Sequence, residues 1–329
     1  MLSISPKSFL PIAASLILLG GAHAKADVSG VIPEIGDLER WTVFSLGDGH
    51  SFSRAFGHAF IDGDLGLAGN GNFLMGGHAT VNGDVYDRSN GTVLTFQNSF
   101  ITGSIFHNQD ALLDNGVNEA IAASAHAFSL TPNRPNTTVK LLGNHALTIT
   151  GAPGETVVLG LKNFILRDNS SFTLQGTATT TFVINVNKKF SLSGNSHIDL
   201  VGVQWDQVLF NVVGTGQRVS LAGSSVFNGI LMANDRTVRL RKDATVSGEI
   251  IANRLKLRGS SRVLHPSVRS PLVDTVSEGD FDRGPRDDER RAHALPPCGA
   301  WLPASRSIQT AKPTAGTGCA LPSRVSMPS

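Results

Sequence analysis

Cysteine is nearly missing from this chain: 329 residues carry two, Cys298 and Cys319, both near the C-terminus. A disulfide-stapled scaffold and a Cys-type structural zinc site are thereby excluded for the body of the protein. Charge is sparse at 16% of residues, and there is one Tyr. With 40% apolar residues the chain is neither a coiled coil nor a disordered polymer, and its 35 glycines lack the every-third-residue spacing of collagen. No Gly-x-Ser-x-Gly elbow occurs, although Ser and His are plentiful.

The two ends differ from the middle. Lys7, an apolar run over residues 9–19 and the small-residue motif Ala22-His23-Ala24 read as a secretory signal, with Ala24-Lys25-Ala26 as a second cleavage site. Residues 1–26 are therefore expected to direct export to the cell surface or the medium. The apolar run is too short for a bilayer span, and nothing later reaches ~18 apolar residues, so no transmembrane segment is expected in the mature chain. Residues 266–329 hold nine of the fifteen prolines, with the charged run Arg286-Asp287-Asp288-Glu289-Arg290-Arg291 and no apolar periodicity. A disordered tail is the expectation, and a shifted reading frame would give the same composition. Residues 27–265 remain as one domain.

That domain is built on a repeat. Gly57-His58-Ala59-Phe60-Ile61-Asp62-Gly63-Asp64-Leu65 returns twenty residues later as Gly77-His78-Ala79-Thr80-Val81-Asn82-Gly83-Asp84-Val85, and again as Gln97-Asn98-Ser99-Phe100-Ile101-Thr102-Gly103-Ser104-Ile105. The pattern continues downstream at Val139, Phe164, Phe190, Val219, Val238 and Leu255. Each copy alternates apolar and polar residues, as half-buried strands require. Between its short strands lies a corner with Gly first in six of nine copies, where positive φ is expected. The second corner residue is always His, Asn, Ser or Asp, from His58 to Ser260. These side chains suit tight turns and can bond stacked copies of themselves. A unit of about twenty residues cannot bury its own apolar face and must stack on its neighbours, which predicts a β-solenoid. A propeller blade would need about twice this period. As end caps, the chain offers residues 28–42 and those after Leu264.

Residues 108–130 interrupt the repeat. Leu113, Val117, Ile121, Ala125 and Phe128 mark one helical face, with Asn108 as N-cap and Pro132 and Pro135 as the stop. A helix of about twenty residues spans roughly 30 Å, enough to carry the chain from one end of a solenoid to the other.

The segments Thr180-Thr181-Phe182-Val183-Ile184-Asn185-Val186, Val208-Leu209-Phe210-Asn211-Val212, Gly229-Ile230-Leu231-Met232-Ala233 and Val246-Ser247-Gly248-Glu249-Ile250-Ile251-Ala252 resemble the bacterial ice-binding-like, adhesin-like β-solenoid proteins. They are also similar to exported choice-of-anchor A proteins. The order of rungs, long helix and further rungs matches, and the resemblance covers about residues 40–265. It implies an all-β fold with one long helix: a discontinuous right-handed parallel β-helix, triangular in section, with the helix packed alongside. It also implies that rungs need not stack in chain order, so the last can lie against the first.

Parallel β-helices include polysaccharide lyases and hydrolases, whose carboxylates must converge on one bond. Here Asp62, Asp64 and Asp84 recur at corners, but Thr102 and Ser104 replace them in the third copy. They read as turn polarity, with calcium binding as the functional alternative. His58, His78, His145 and His197 lie near corners at no metal-ligand spacing. No catalytic residue, metal or cofactor is assigned, and an enzyme is the alternative of another class.

An ice-binding face must be flat and uncharged. Outward positions on the repeat strand are Lys140, Ile165, Ser191, Ser220, Arg239 and Lys256, followed by Leu142, Arg167, Ser193, Ala222, Arg241 and Arg258. Their basic members make this strand's face a poor ice plane. Thr177, Thr179, Thr180 and Thr181 cluster without recurring across rungs. Charge is unevenly divided: residues 27–130 carry 3 Lys or Arg against 12 Asp or Glu, whereas residues 131–265 carry 15 against 7. Two readings follow. The acidic first rungs could match the basic last ones where they meet. Alternatively, Arg239, Arg241, Lys256 and Arg258 form a ligand-binding face for an acidic polysaccharide or cell-surface polymer. No aromatic residues interleave with these cations in sequence, so no specific nucleic acid is expected. The expected function is a non-catalytic surface or matrix adhesion or structural module, with ice binding as the alternative on the same fold.

Overall fold

Each copy of the repeat forms one coil of a parallel β-helix. The structure is a computed structural model that describes residues 28–266, except 37, 48–51, 70–71 and 136. The expected signal segment, the Pro-rich tail and both cysteines lie outside the described residues.

The strands pair in three columns, which make three faces. On the first face Val43–Ser45, Leu65–Leu67 and Val85–Asp87 stack in parallel, and so do the leading parts of Thr156–Arg167 and Thr181–Ser193 with Val208–Val212. The second face carries Ser53–Phe56, Asn72–Gly76, Thr138–Leu141 and Val219–Ala222. The third carries Phe60–Asp62, Thr80–Asn82, Ala146–Thr150, Ser171–Gln175 and His197–Val201. The long strands Val226–Arg241 and Thr245–Arg258 pass round the corners between faces.

The stack is discontinuous, as the resemblance implied. Residues 250–252 pair with Val43–Ser45, Lys256 with Arg54, and Arg262–Leu264 with Phe60–Asp62. The last coils thus meet the first in a seam at mid-stack. From this seam the N-terminal coils build outward to Ile105–Phe106. The helix Asp110–Ser129 then returns along the first face to the opposite end, where Thr138–Leu141 begins the C-terminal coils.

Every corner position expected to need positive φ has it. Gly57, Gly77, Gly143, Gly194, Gly223 and Gly259 do, and so do Gln97, Asp168 and Lys242 where glycine is replaced. The next position bonds from coil to coil: Asn169 Nδ2 donates to Asn144 Oδ1 at 3.2 Å and Asn195 Nδ2 to Asn169 Oδ1 at 3.1 Å. His58 and His78 stack with centroids 5.3 Å apart. Gly63, Gly83 and Gly103 also stack, so close that a Cβ on Gly83 would overlap the backbone of Gly63.

Two apolar cores result. Inside the coils, Phe164, Phe190, Phe210 and Phe227 touch ring to ring, with Phe164 and Phe190 stacked at 5.2 Å. Outside, on the first face, Phe44, Val183, Leu209, Ile230 and Ile251 are covered by the helix.

Three expectations need correction here. The buried face of the helix is Leu113, Gly116, Ala120, Ala123 and Ala127, whereas Ile121 and Phe128 are 56% and 54% exposed. Small residues win because the helix must approach a flat sheet closely: a Cβ on Gly116 would lie 2.7 Å from the Phe44 ring. Asn108 is not the N-cap; it has φ 61°, and the helix starts after Gln109. Residues 28–42 do not close an end. Their short 3-10 turns, Val28–Gly30, Pro33–Ile35 and Leu38–Arg40, pack beside the helix over the first face.

Candidate functional site

Covering the first face leaves two open sheets. Asn185 and Asn211, at one position in successive coils, hold the cover in place. Asn185 Nδ2 donates to the helix carbonyl of Ala127 at 2.7 Å, and Asn211 Nδ2 to that of Ser124 at 2.9 Å. Sequence reasoning gave these asparagines no role; their recurrence before Val186 and Val212 was the available signal.

The second face gathers the basic residues. The outward positions read from sequence do form one column, because Lys140 pairs with Ile165, Ile165 with Ser191, Ser191 with Ser220, Ser220 with Arg239 and Arg239 with Lys256. Arg241 and Arg258 pair in the neighbouring column. The seam then adds Arg54 directly on Lys256 and Phe56 on Arg258. Opposite charges therefore do not meet on this face, contrary to one expectation: the acidic half contributes one of its few cations. Burial lowers the Lys256 pKa first, and the charges of Arg54, Arg254, Arg239 and Arg218 lower it further. Arg239 is lowered in the same way, by burial and then by Arg241, Arg218, Arg258 and Arg54. No described carboxylate forms an ion pair with Arg54, Arg218, Arg239 or Lys256. Next to them a cavity of about 330 Å³ opens, lined by Arg218, Arg236, Arg239, Arg254 and Lys256 with Asp235.

Arg236 forms the floor. Its guanidinium is buried and donates to the carbonyls of Gly214, Gln217, Asn187, Lys188 and Val213. It closes a bulged corner, and burial lowers its pKa.

The third face is a regularly paired parallel sheet and mostly uncharged. Thr148 pairs with Thr173, and Ala146 and Thr150 with Ser171 and Gln175. Nearer the seam Val226 pairs with Thr245, and Asn228 with Ser247. The His197 Nε2–Asp199 Oδ2 contact at 3.2 Å, Arg262 and Asp62 interrupt the hydroxyl and amide groups. The Thr177, Thr179 and Thr180 hydroxyls lie instead at a corner and bond to one another, with Thr180 fully buried.

The corner carboxylates join coils. Asp64 Oδ1 accepts from the Asp84 backbone N–H at 2.9 Å, Asp84 Oδ1 from that of Ser104 at 2.7 Å, and Asp62 Oδ1 from Asn82 Nδ2 at 2.7 Å. This is the turn polarity read from sequence. The strongest acid perturbation is at the seam. Glu249 is fully buried and pushed up to about 7 by desolvation, against the pull of His265 at 3.4 Å. Nearby Glu39 and Asp206 push the same way, and His265, held by Glu249, is raised in turn.

Residues 51–260 match the model of a family described as ice-binding-like. Among solved structures, the fold is similar to an ice binding protein from an Antarctic Biological Consortium, at 16% identity and TM-score 0.50 over 78% of this chain and 96% of that one. It is also similar to an ice binding protein from an Antarctic bacterium of the Flavobacteriaceae, at 20% identity and TM-score 0.50 over 70% of this chain and 48% of that one. At these identities the likeness is one of fold. No curated protein matches the chain by sequence.

Proposed function

Because the chain belongs to the ice-binding-like family, we propose that it adsorbs to ice through its third face and carries out no catalysis. One observation carries this reading: the paired Thr148–Thr173, Thr150–Gln175 and Ser171 positions project in register from one parallel sheet. Coils at about 4.8 Å spacing hold hydroxyl and methyl groups in rows, so a water layer can be ordered without moving the protein. Ice adsorption is better supported than the adhesive or structural role first read from the repeat, because the solved structures of similar fold are described as ice binding proteins. The charges of Asp199 and Arg262 and the His197 ring break the plane. The activity is accordingly expected as inhibition of ice recrystallisation with a small thermal hysteresis. Ice lies outside the cell that makes such a protein, which fits the export signal read in residues 1–26.

The test is ice recrystallisation by the full chain at micromolar concentration. Thr173→Tyr places a bulky ring mid-plane and should abolish inhibition, whereas Ser220→Tyr on the second face should not. An inactive natural chain, or equal loss in both variants, overturns the reading.

A further inference from the structure

We propose that the basic cleft on the second face binds an anionic polysaccharide carrying about one negative group per sugar. Arg239, Lys256 and Arg54 stand on three successive coils, and Lys256 and Arg54 are brought together only by the seam. A sheet that sets like charges one coil spacing apart, about 4.8 Å, and leaves them without described carboxylate partners works against its own stability. An anionic ligand removes that repulsion. Two features show that these cations are built into the surface. Arg54 Nε is buried, so the guanidinium is anchored at its inner end. Beneath them Arg236 spends its own donors on five carbonyls and adds fixed positive charge to the floor. Arg241 and Arg258 extend the positive surface by one column.

The spacing and the neighbours select the ligand. Acidic groups recur along such a glycan at a repeat of the same order as the coil spacing, so several carboxylate or sulfate groups can meet the column of cations. Phe52, 43% exposed, and Phe56, beside Arg258, flank Arg54 on the two sides along its strand. There they offer an apolar surface to a sugar ring. Both rings belong to the coil of Arg54, whereas a nucleic-acid groove would repeat such rings along the column of cations to stack successive bases. This face is not the one assigned to ice, and the two readings stand or fall separately.

The experiment is calorimetric titration of the full chain with polygalacturonate, heparin, neutral dextran and oligo-dT, repeated at several salt concentrations. Polygalacturonate or heparin should bind with an affinity that falls steeply with salt, dextran should not bind, and oligo-dT should bind more weakly. The comparison of the two acidic glycans tells carboxylate from sulfate. The triple variant Arg54→Ser, Arg239→Ser, Lys256→Ser should lose at least tenfold in affinity. Removing distant cations with Lys140→Ser and Arg167→Ser should change it less than twofold. Both variants should keep the ice activity, and the triple variant should melt no earlier than the natural chain, which separates this site from the third face. If the triple variant melts early, Arg218→Ser alone, an exposed position, should still lose affinity. Equal losses in the two multiple variants, no binding to either acidic glycan, or tighter binding of oligo-dT would overturn the proposal.

Discussion

The coils on the two sides of the seam solve the same problem differently. On the C-terminal side the strands are long, twelve to sixteen residues in Thr156–Arg167 and Val226–Arg241, and the interior is filled by phenylalanine rings. On the N-terminal side the strands are three to five residues in Phe60–Asp62 and Asn72–Gly76, the corners are glycine on glycine, and the outermost coil exposes Leu94, Phe96, Phe100 and Phe106. Each coil is stabilised by what it packs on, so a coil between two neighbours is stronger than one at an end. The difference teaches that one repeat can support a rigid interior at one end and a thin, glycine-tightened one at the other.

The largest effect should come from the ring-filled side. Phe190→Ala opens a cavity among three other rings and should cost about 3–5 kcal/mol in denaturant unfolding. A loss below about 1 kcal/mol would mean that the aromatic interior is not what distinguishes the two sides. Arg236→Ala leaves five carbonyls at the bulged corner without their donor and should cost about 3 kcal/mol. Arg236→Lys should recover only part of it, because an ammonium cannot span that set of acceptors.

The seam itself should answer to pH. Glu249 has a folded pKa near 7, above its ordinary 4.5, and His265 is also raised. Both groups are stabler protonated in the folded state. Their contribution is full at low pH and is lost as pH rises through about 7. Thermal melting should therefore fall between pH 5.5 and pH 8, by the equivalent of about 1–2 kcal/mol, and Glu249→Gln should flatten that slope. A natural chain equally stable across this range would show the pair to be hydrated. The smallest effect belongs to the open N-terminal end: Phe96→Ala, at a side chain 47% exposed, should stay within about 0.5 kcal/mol. A larger loss would reveal a partner covering that end.

Much of the architecture was legible because its causes are local. Positive φ at the corners selects glycine, and its exceptions Gln97, Asp168 and Lys242 stayed readable through the neighbouring Asn or Asp. Alternation along each strand predicted the outward column from Lys140 to Lys256 residue by residue. The helix was placed correctly but turned wrongly. Apolar size marks burial in most helices, but one lying against a sheet at close approach buries small residues instead, as Gly116 does on Phe44. The candidate sites were less legible. The basic residues were named in part, but Arg54 belongs to the acidic half and joins them only by stacking. The hydroxyl face was missed because Thr148, Thr173 and Ser247 occur in copies whose spacing varies.

The amino-acid sequence alone determined the coil: its strands, its corners and which side of each strand faces inward follow from backbone sterics and the hydrophobic effect within some twenty residues. Tertiary structure alone decided which coils became neighbours. Backbone pairing between parallel strands is nearly the same for any two coils, so local sequence could not say that Arg54 would lie on Lys256, 202 positions further along the chain. The helix settled it by returning the chain to the far end. The last coils could then close only on the first, and the charges they brought together give the open basic face its chemistry.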